Sequence, residues 1–323
     1  MTARMLAAAG FTVGVPLGLA GWLALVERLL RPLGRRAADR LRPWAWLTPG
    51  VVLLAVFLVH PLVSTLLLST RDATSTASRG LGNFGYVLAS AEVRSALRNN
   101  LLWLVLLTGG CLAVGLLVAI LADGTRYESA AKAAVVLPTA ISFVAGAVIW
   151  RSMYDYRPPG SAQTGTLNAV LITLTGHDPV SWLVDTSTNN GALVAVGIWM
   201  TTGFATVLLS AALKGVPAEL VEAARMDGAG PWRTFRHVVL PEIAPALTVV
   251  ATFLAVTAFK AFDVIYVLTN GSYDTDVIAN VMYRELFVRQ DYGHASAIAV
   301  LLLVVALPVL AMTLRGRRRE VFR

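Results

Sequence analysis

The sequence predicts an all-α, polytopic membrane protein of about seven transmembrane helices, and three observations carry that expectation. Of its 323 residues, 56% are hydrophobic and 14% charged, whereas soluble domains are about one-quarter charged. The mean hydropathy is +0.67. Seven charge-poor runs reach the length of roughly 18 to 20 residues that crosses a hydrocarbon layer at about 1.5 Å per residue.

The runs extend from about Met5 to Val26, Leu47 to Leu68, Leu101 to Ala122, Ala133 to Met153, Ala192 to Leu213, Leu247 to Leu268, and Ala295 to Leu314. The first is too long for the apolar core of a secretory signal, and arginines follow it where a small-residue cleavage site would lie. A retained helix is expected. It and the Arg-rich linker after it, residues 1–45, read as an addition to a core of six helices at 46–323.

Orientation follows from basic residues in the connecting segments. If 27–46 is cytosolic, that side holds 17 of the 27 Lys and Arg and the other side nine, with Lys260 inside a span. The N-terminus is therefore expected outside and the C-terminus in the cytosol. The net charge of +8 is concentrated beside helix ends, where anionic lipid headgroups account for it better than a nucleic acid. The segment 154–190, rich in Pro, Gly and turn residues with one amphipathic patch, is expected to be ordered but irregular.

The segment 214–245 stands out, because it carries acids, arginines and a histidine between two membrane-length runs. Pro217 suits a first helical turn, since its missing N–H would be unpaired there anyway. A helix through "AELVEAARM" is expected to stop at Asp227-Gly228, where Gly accepts the left-handed conformation. Pro231 then starts a second short helix, "WRTFRHVVL", that Pro241 ends. Three readings compete for this helix, turn and helix. A DNA-binding element is disfavoured because both ends are tethered to the membrane. A surface-lying amphipathic helix is compatible with Leu220, Val221 and Ala224. A docking element for a soluble partner fits Ala223 and Ala224, which leave the backbone bare, and Glu222, which offers a charge-assisted bond.

The same residues resemble a family. Glu222, Ala223, Ala224, Gly228, Leu240 and Pro241 stand at the positions of the EAA motif (Glu-Ala-Ala, three residues, Gly, nine residues, Ile, one residue, Leu-Pro) of membrane subunits of binding-protein-dependent ABC importers. Val238 replaces the usual Ile. "LGNFGYVL" at 81–88, "LP" at 137–138, Trp150, "TGTLNAVL" at 164–171, "FKAFDVIYVLTNGS" at 259–272 and "YGHASAIAVLLL" at 292–303 are similar to the sugar-importing subfamily. Within it, the chain most resembles the larger membrane subunit of maltose-type and alpha-glucoside importers. "NGSYD" at 270–274 departs from the usual Gly-Gly-Pro.

The resemblance implies a permease subunit in a bacterial inner membrane. A second permease, two ATPase subunits that bind ATP and Mg, an extracytoplasmic solute-binding protein and a sugar would be its partners. It implies that Glu222, Ala223, Ala224, Asp227, Gly228, Leu240 and Pro241 dock into an ATPase cleft. An ion-coupled secondary transporter, a permease for polyamine or phosphate, and a membrane-bound enzyme are the rivals.

No cofactor or metal is expected on this chain. The three lysines precede Ala133, Gly215 and Ala261, so no P-loop is present. His60, His177, His237 and His294 lie in separate segments without ligand spacing. Cys111, the single cysteine, reads as a packing residue. Ionisable groups within a span face a bundle interior, and a spacing of three would set Lys260 and Asp263 on one helix face, either as an intramembrane ion pair that orients the helix, the favoured reading, or as a wall of the substrate cavity. Trp199, Thr201, Thr202, Phe204, Thr257, Phe259 and Tyr266 offer aromatic faces and hydroxyls for a sugar pathway.

Overall fold

A computed structural model describes Gly14, Leu17, Gly18, residues 20–32 and 34–320, with side chains through Pro308 and at Ala311. The expected span from Met5 to Val26 lies largely outside the described residues. The chain divides into two compact units, Met1–Leu67 and Leu68–Arg323.

In the first unit, helix α1 covers residues 20–30 and α2 runs Arg35–Leu68. Val26, Leu30 and Ala38 form a small buried cluster. Trp22 Nε1 donates to the Ala45 carbonyl at 2.9 Å, and Arg42 pairs with Glu27 at 3.1 Å. A π-turn at Ala55–Val59 precedes Pro61 in α2. Proline in a helix clashes with the carbonyl four residues back, and one extra residue in the preceding turn moves that carbonyl away.

The second unit begins with α3 (Gly82–Ala89) and α4 (Ala91–Ala122). Ser90 caps α4 by accepting from the Val93 N–H at 3.4 Å, and Glu92 occupies its first turn, where the helix dipole favours an acid. Next come α5 (Glu128–Val136), a 3-10 turn at Leu137–Ala140 and α6 (Phe143–Met153), with a bend of 103° between the two arms. The expected span at 133–153 is therefore a broken one. Pro138 opens the 3-10 turn, and Ser142 starts the new helix by accepting from Ala145 N–H at 3.2 Å. Within 154–190, the expected amphipathic patch is helix α7 (Thr166–Thr175), closed by Gly176 at φ +66°.

Helix α8 (Asn189–Lys214) is the centre of the unit, with 67% of its apolar window buried. Small residues let its neighbours come close, which is how helices associate where lipid removes any hydrophobic incentive. A methyl group on Gly115 of α4 would lie 2.9 Å from Ala205 Cβ, and one on Gly203 would lie 2.6 Å from the Val135 carbonyl of α5. One on Gly146 of α6 would meet Met200 at 2.7 Å. Cys111 is fully buried beside Thr202, as a packing residue should be.

After α8 come the short helix α9 (Ala218–Met226), α10 over residues 231–242, α11 (Ala244–Phe259), α12 (Asp263–Leu268), α13 over 278–288, and α14 (Tyr292–Glu320). The expected span from Leu247 to Leu268 is interrupted at 260–262. No strand occurs among the described residues. Among the described residues, four stretches are long and apolar enough to cross a membrane, counting α11 and α12 together as Ala244–Leu268; the bent α5–α6 pair makes a fifth, and Tyr292–Pro308 is a further apolar stretch.

Candidate coupling loop and translocation cavity

The loop after α8 forms from local rules. Pro217, at φ −57°, directly precedes α9. At the far end, Gly228 N–H bonds to the Arg225 carbonyl at 3.0 Å and Ala229 N–H to the Ala224 carbonyl at 2.9 Å. With Gly228 at φ +78°, these two bonds are a Schellman ending, which satisfies the last helical carbonyls. Gly230 and Pro231 then start α10.

Pro241 does not end that second helix. Residues Phe235–Val239 form a π-turn and the helix continues to Glu242. Leu240 N–H reaches back to the Phe235 carbonyl, so the wide turn accommodates the proline ring as it does before Pro61. Leu240 is half-buried and Pro241 exposed.

One face of α9 is free. Glu219, Glu222, Ala223 and Met226, at intervals of three and four, are all exposed, as are Asp227 and Gly228, while Val221 and Ala224 turn inward. Met226 is 87% exposed and Trp232 on α10 is 70% exposed. Neither was singled out in the sequence, because an isolated Met and Trp beside a charged run carry no period. Beneath the face, Val221, Arg225, Ala229, Thr234 and Phe235 line a hollow of about 400 Å³ against the ends of α4 and α8.

A cavity of about 370 Å³ lies where α11 breaks. Trp103, Phe143, Phe253 and Phe262 supply aromatic walls, and Thr257, Lys260 and Asp263 supply polar groups. The break corrects the ion-pair expectation. Helix α11 ends at Phe259 and α12 starts at Asp263, so Lys260 and Asp263 share no helix face, and no ion pair joins them among the described residues. Both charged groups line one aromatic hollow, as the other reading of these residues expected.

The other pathway candidates are dispersed. Thr257 lines the cavity, with its hydroxyl donating to the Phe253 carbonyl at 2.9 Å. Phe204 packs on Phe253 at 4.0 Å between ring centres. Trp199 packs edge-on against Trp150 at 5.7 Å. Thr201 and Thr202 bond to the carbonyls of Gly197 and Ile198 within their own helix and are buried. Phe259 faces α14, and Tyr266 stands against Phe262 and Tyr283. Trp103, Phe143, Phe253 and Phe262 were missed. Aromatics scattered over three segments look alike in sequence, and only the bends bring these four together.

At the far end of α4 from the loop, buried asparagines hold the connecting segments. Asn99 Nδ2 donates to the carbonyls of Asp274 and Asp276 at 2.8 Å each, and Asn189 Nδ2 to that of Tyr273 at 2.6 Å. Asn270, Tyr273 and Asp274 all have positive φ, a strained state for side-chain-bearing residues that the surrounding bonds over-determine. The Ser95 hydroxyl, with Arg98 beside it, holds the Asp274 carboxyl below the ordinary carboxylate range.

His294, Asp291 and Glu285 bring three potential metal ligands within 4.8 Å. His294 Nδ1 is 2.9 Å from Asp291, its ring stacks on Tyr86 at 3.9 Å, and Arg289 pairs with Glu285. Glu285 is already matched by Arg289, and Asp291 is bonded to the His294 ring and backbone N–H, so the group reads as a hydrogen-bonded seam.

Comparison with known proteins agrees with this architecture. The family model described as "Binding-protein-dependent transport system inner membrane component" matches residues 112–317. The osmoprotective compounds uptake permease protein GgtC of Synechocystis is 44% identical over 270 residues, 84% of this chain and 96% of that protein. The alpha-glucoside transport system permease protein AglF of Rhizobium meliloti is 38% identical over 286 residues, 88% of this chain and 85% of that one. A crystal structure of a bacterial ABC transporter that imports the acidic polysaccharide alginate contains a chain with a TM-score of 0.74 at 25% identity, covering 88% of this chain and 99% of that chain.

Proposed function

As the chain belongs to the inner membrane components of binding-protein-dependent transport systems, we propose that it forms half of an ATP-driven translocation pathway for a sugar, an α-glucoside or short oligosaccharide. A second permease completes the pathway. Two ATPase subunits hydrolyse ATP, and an extracytoplasmic binding protein delivers the solute. Residues 46–323 are the permease domain, with the N-terminus outside and the C-terminus in the cytosol, and 1–45 add a helix with a lipid-facing Arg-rich linker.

The observation that carries the reading is the free face of α9. A short helix that exposes Glu222, Ala223 and Met226, tied to α8 by three residues and closed by a rigid glycine turn, is built to be held by another protein. Glu222 offers a charge-assisted bond, Ala223 close backbone approach, and Met226 apolar area worth about 1.5 to 3 kcal/mol when buried. When the ATPases close, force on α9 passes into the permease.

The cavity supports the solute class. Aromatic rings provide apolar faces for sugar C–H surfaces, while Thr257, Lys260 and Asp263 can exchange hydrogen bonds with hydroxyls. The indole Nε1 of Trp103 is a buried donor without a protein partner on a ring of that wall. The 44% identical relative, by its name, takes up osmoprotective compounds, so a small hydroxyl-rich osmolyte is the second reading of the solute.

Reconstitution tests the function. The chain, its permease partner, the ATPase and the binding protein in vesicles should take up a labelled α-glucoside only with ATP inside the compartment of the ATPases. Uptake driven by an ion gradient without ATP contradicts the proposal and supports a secondary transporter.

A further inference from the structure

The charged cluster at the start of α5 has no part in the docking face or the cavity, yet it stands between them. Lys214, the last residue of α8, lies 2.5 Å from Glu128, the first residue of α5. The same carboxylate oxygen accepts from Lys132, whose ammonium also donates to Ser210 of α8. Glu128 Oε2 in addition receives the Gly124 N–H at 3.4 Å. The Glu128 and Lys132 side chains are each only 19% exposed. Farther along, α8 and α5 touch again at Gly203, where the Val135 carbonyl leaves no room for a Cβ.

Two contacts set well apart along a helix pair prevent rotation as well as separation. We infer that Glu128 is a positioning residue that joins the coupling loop to the cavity wall: held by Lys214 and Lys132, it makes α5 and the end of α8 one body, so that displacement of α9 reaches Phe143. The route is continuous on the chain. Three residues separate Lys214 from α9. Beyond the cluster, α5 runs through the 3-10 turn into the 103° bend, and Phe143, the first residue of α6, lines the cavity. Ile141 and Ser142, with extended backbone at ψ 141° and 148°, lie between the two arms and make the bend.

This inference rests on the permease reading and is tested in the same assembled importer with labelled α-glucoside. Glu128→Gln keeps the shape and removes the charge. Assembly and basal ATP hydrolysis should be unchanged, because the docking face and the ATPase are untouched, whereas solute taken up per ATP should fall by about fivefold or more, the range of ordinary site-to-site coupling. A structural defect would lower assembly and both activities together. The exchange Glu128→Lys with Lys214→Glu restores opposite charges and should restore the ratio.

A wild-type ratio in Glu128→Gln overturns the inference, as does a charge exchange that assembles but stays uncoupled. If the unaltered complex turns over ATP with no α-glucoside uptake, the proposed solute is what fails, and the Glu128 variants are then compared on the osmolyte that is its second reading.

Discussion

The amide of Asn99, buried in the first third of α4, donates to the main-chain carbonyls of both Asp274 and Asp276 at 2.8 Å. One side chain thus fixes a connecting segment in which Asn270, Tyr273 and Asp274 hold positive φ. Asn99→Ala leaves two acceptors without their donor, each costing about 1 to 3 kcal/mol if buried. The variant should unfold at lower temperature in detergent and be cleaved by protease at 270–276. Unchanged melting and cleavage would show that the other bonds to this segment, among them those from Ser95, Arg98 and Asn189, hold it without Asn99.

Acid should act on the same segment through Asp274. Its folded pKa lies below the ordinary carboxylate range, chiefly because Ser95 donates to it, with Arg98 beside it. The folded state therefore favours the charged form. That contribution is complete above the unfolded pKa and is lost as pH falls through the lower folded one. Ser95→Ala raises the folded pKa, so protease sensitivity of the loop should begin at higher pH than in the wild type. An identical acid edge in both proteins contradicts this assignment.

On the exposed side of the loop, Met226→Ala and Trp232→Ala test the docking face. Both side chains are largely free in the isolated chain, so neither change should lower its melting temperature. Each should weaken capture of the ATPase by about 1 to 3 kcal/mol, or roughly fivefold to a hundredfold in dissociation constant, if these are buried anchors. Titration of the ATPase onto permease in nanodiscs measures this. Wild-type affinity for both variants would place the anchor elsewhere on the loop.

In the cavity, Lys260→Met retains the length and apolar stem and removes the ammonium. If Lys260 bonds a sugar hydroxyl, uptake should require about tenfold more solute, the effect of a bond to a charged group worth about 1.5 to 3 kcal/mol. Phe259→Leu, on the side facing α14, should have little effect. Equal losses in both would mean that the change acts through packing.

The loop after α8 was legible in the sequence as far as Pro231, because its turns up to there are imposed locally. Pro217, Gly228 and Pro231 fix φ one residue at a time, and the observed Schellman bonds fall where those residues require them. The segments that carried the family resemblance are explained in the same manner. Asn83 in "LGNFGYVL" bonds to the carbonyls of Ser69 and Arg71, and Asn168 in "TGTLNAVL" to Val180 and Trp182. A Cβ on Gly165 would lie 2.1 Å from the Asp155 carbonyl, and one on Gly293 2.3 Å from that of Arg71.

Breaks inside apolar runs were not legible. "FKAFDV" contains no Pro or Gly, so nothing local announces that α11 stops at Phe259, and the spacing of Lys260 and Asp263 suggested a face that does not exist. Pro138 was read only as part of the family resemblance, and although a proline inside a span can break it, the 103° size of this bend depends on where α8 receives α5 and α6. The link between Lys214 and Glu128 was hidden for a different reason. Ionic partners on separate helices leave no period in either one.

Gly228→Pro tests the central claim most directly. Proline cannot hold φ +78° and lacks the N–H that bonds the Arg225 carbonyl, whereas Gly228→Ala meets no atom within 4 Å and should suffer only left-handed strain of about 1 to 2 kcal/mol. In vesicles containing the full importer and its binding protein, ATP-driven α-glucoside uptake is measured beside the amount of assembled complex. The proline variant should insert in the membrane normally and lose assembly or uptake, with the alanine variant intermediate. Wild-type assembly and wild-type uptake in Gly228→Pro would mean that 214–245 is an ordinary surface turn and that the ATPases drive this permease from somewhere else.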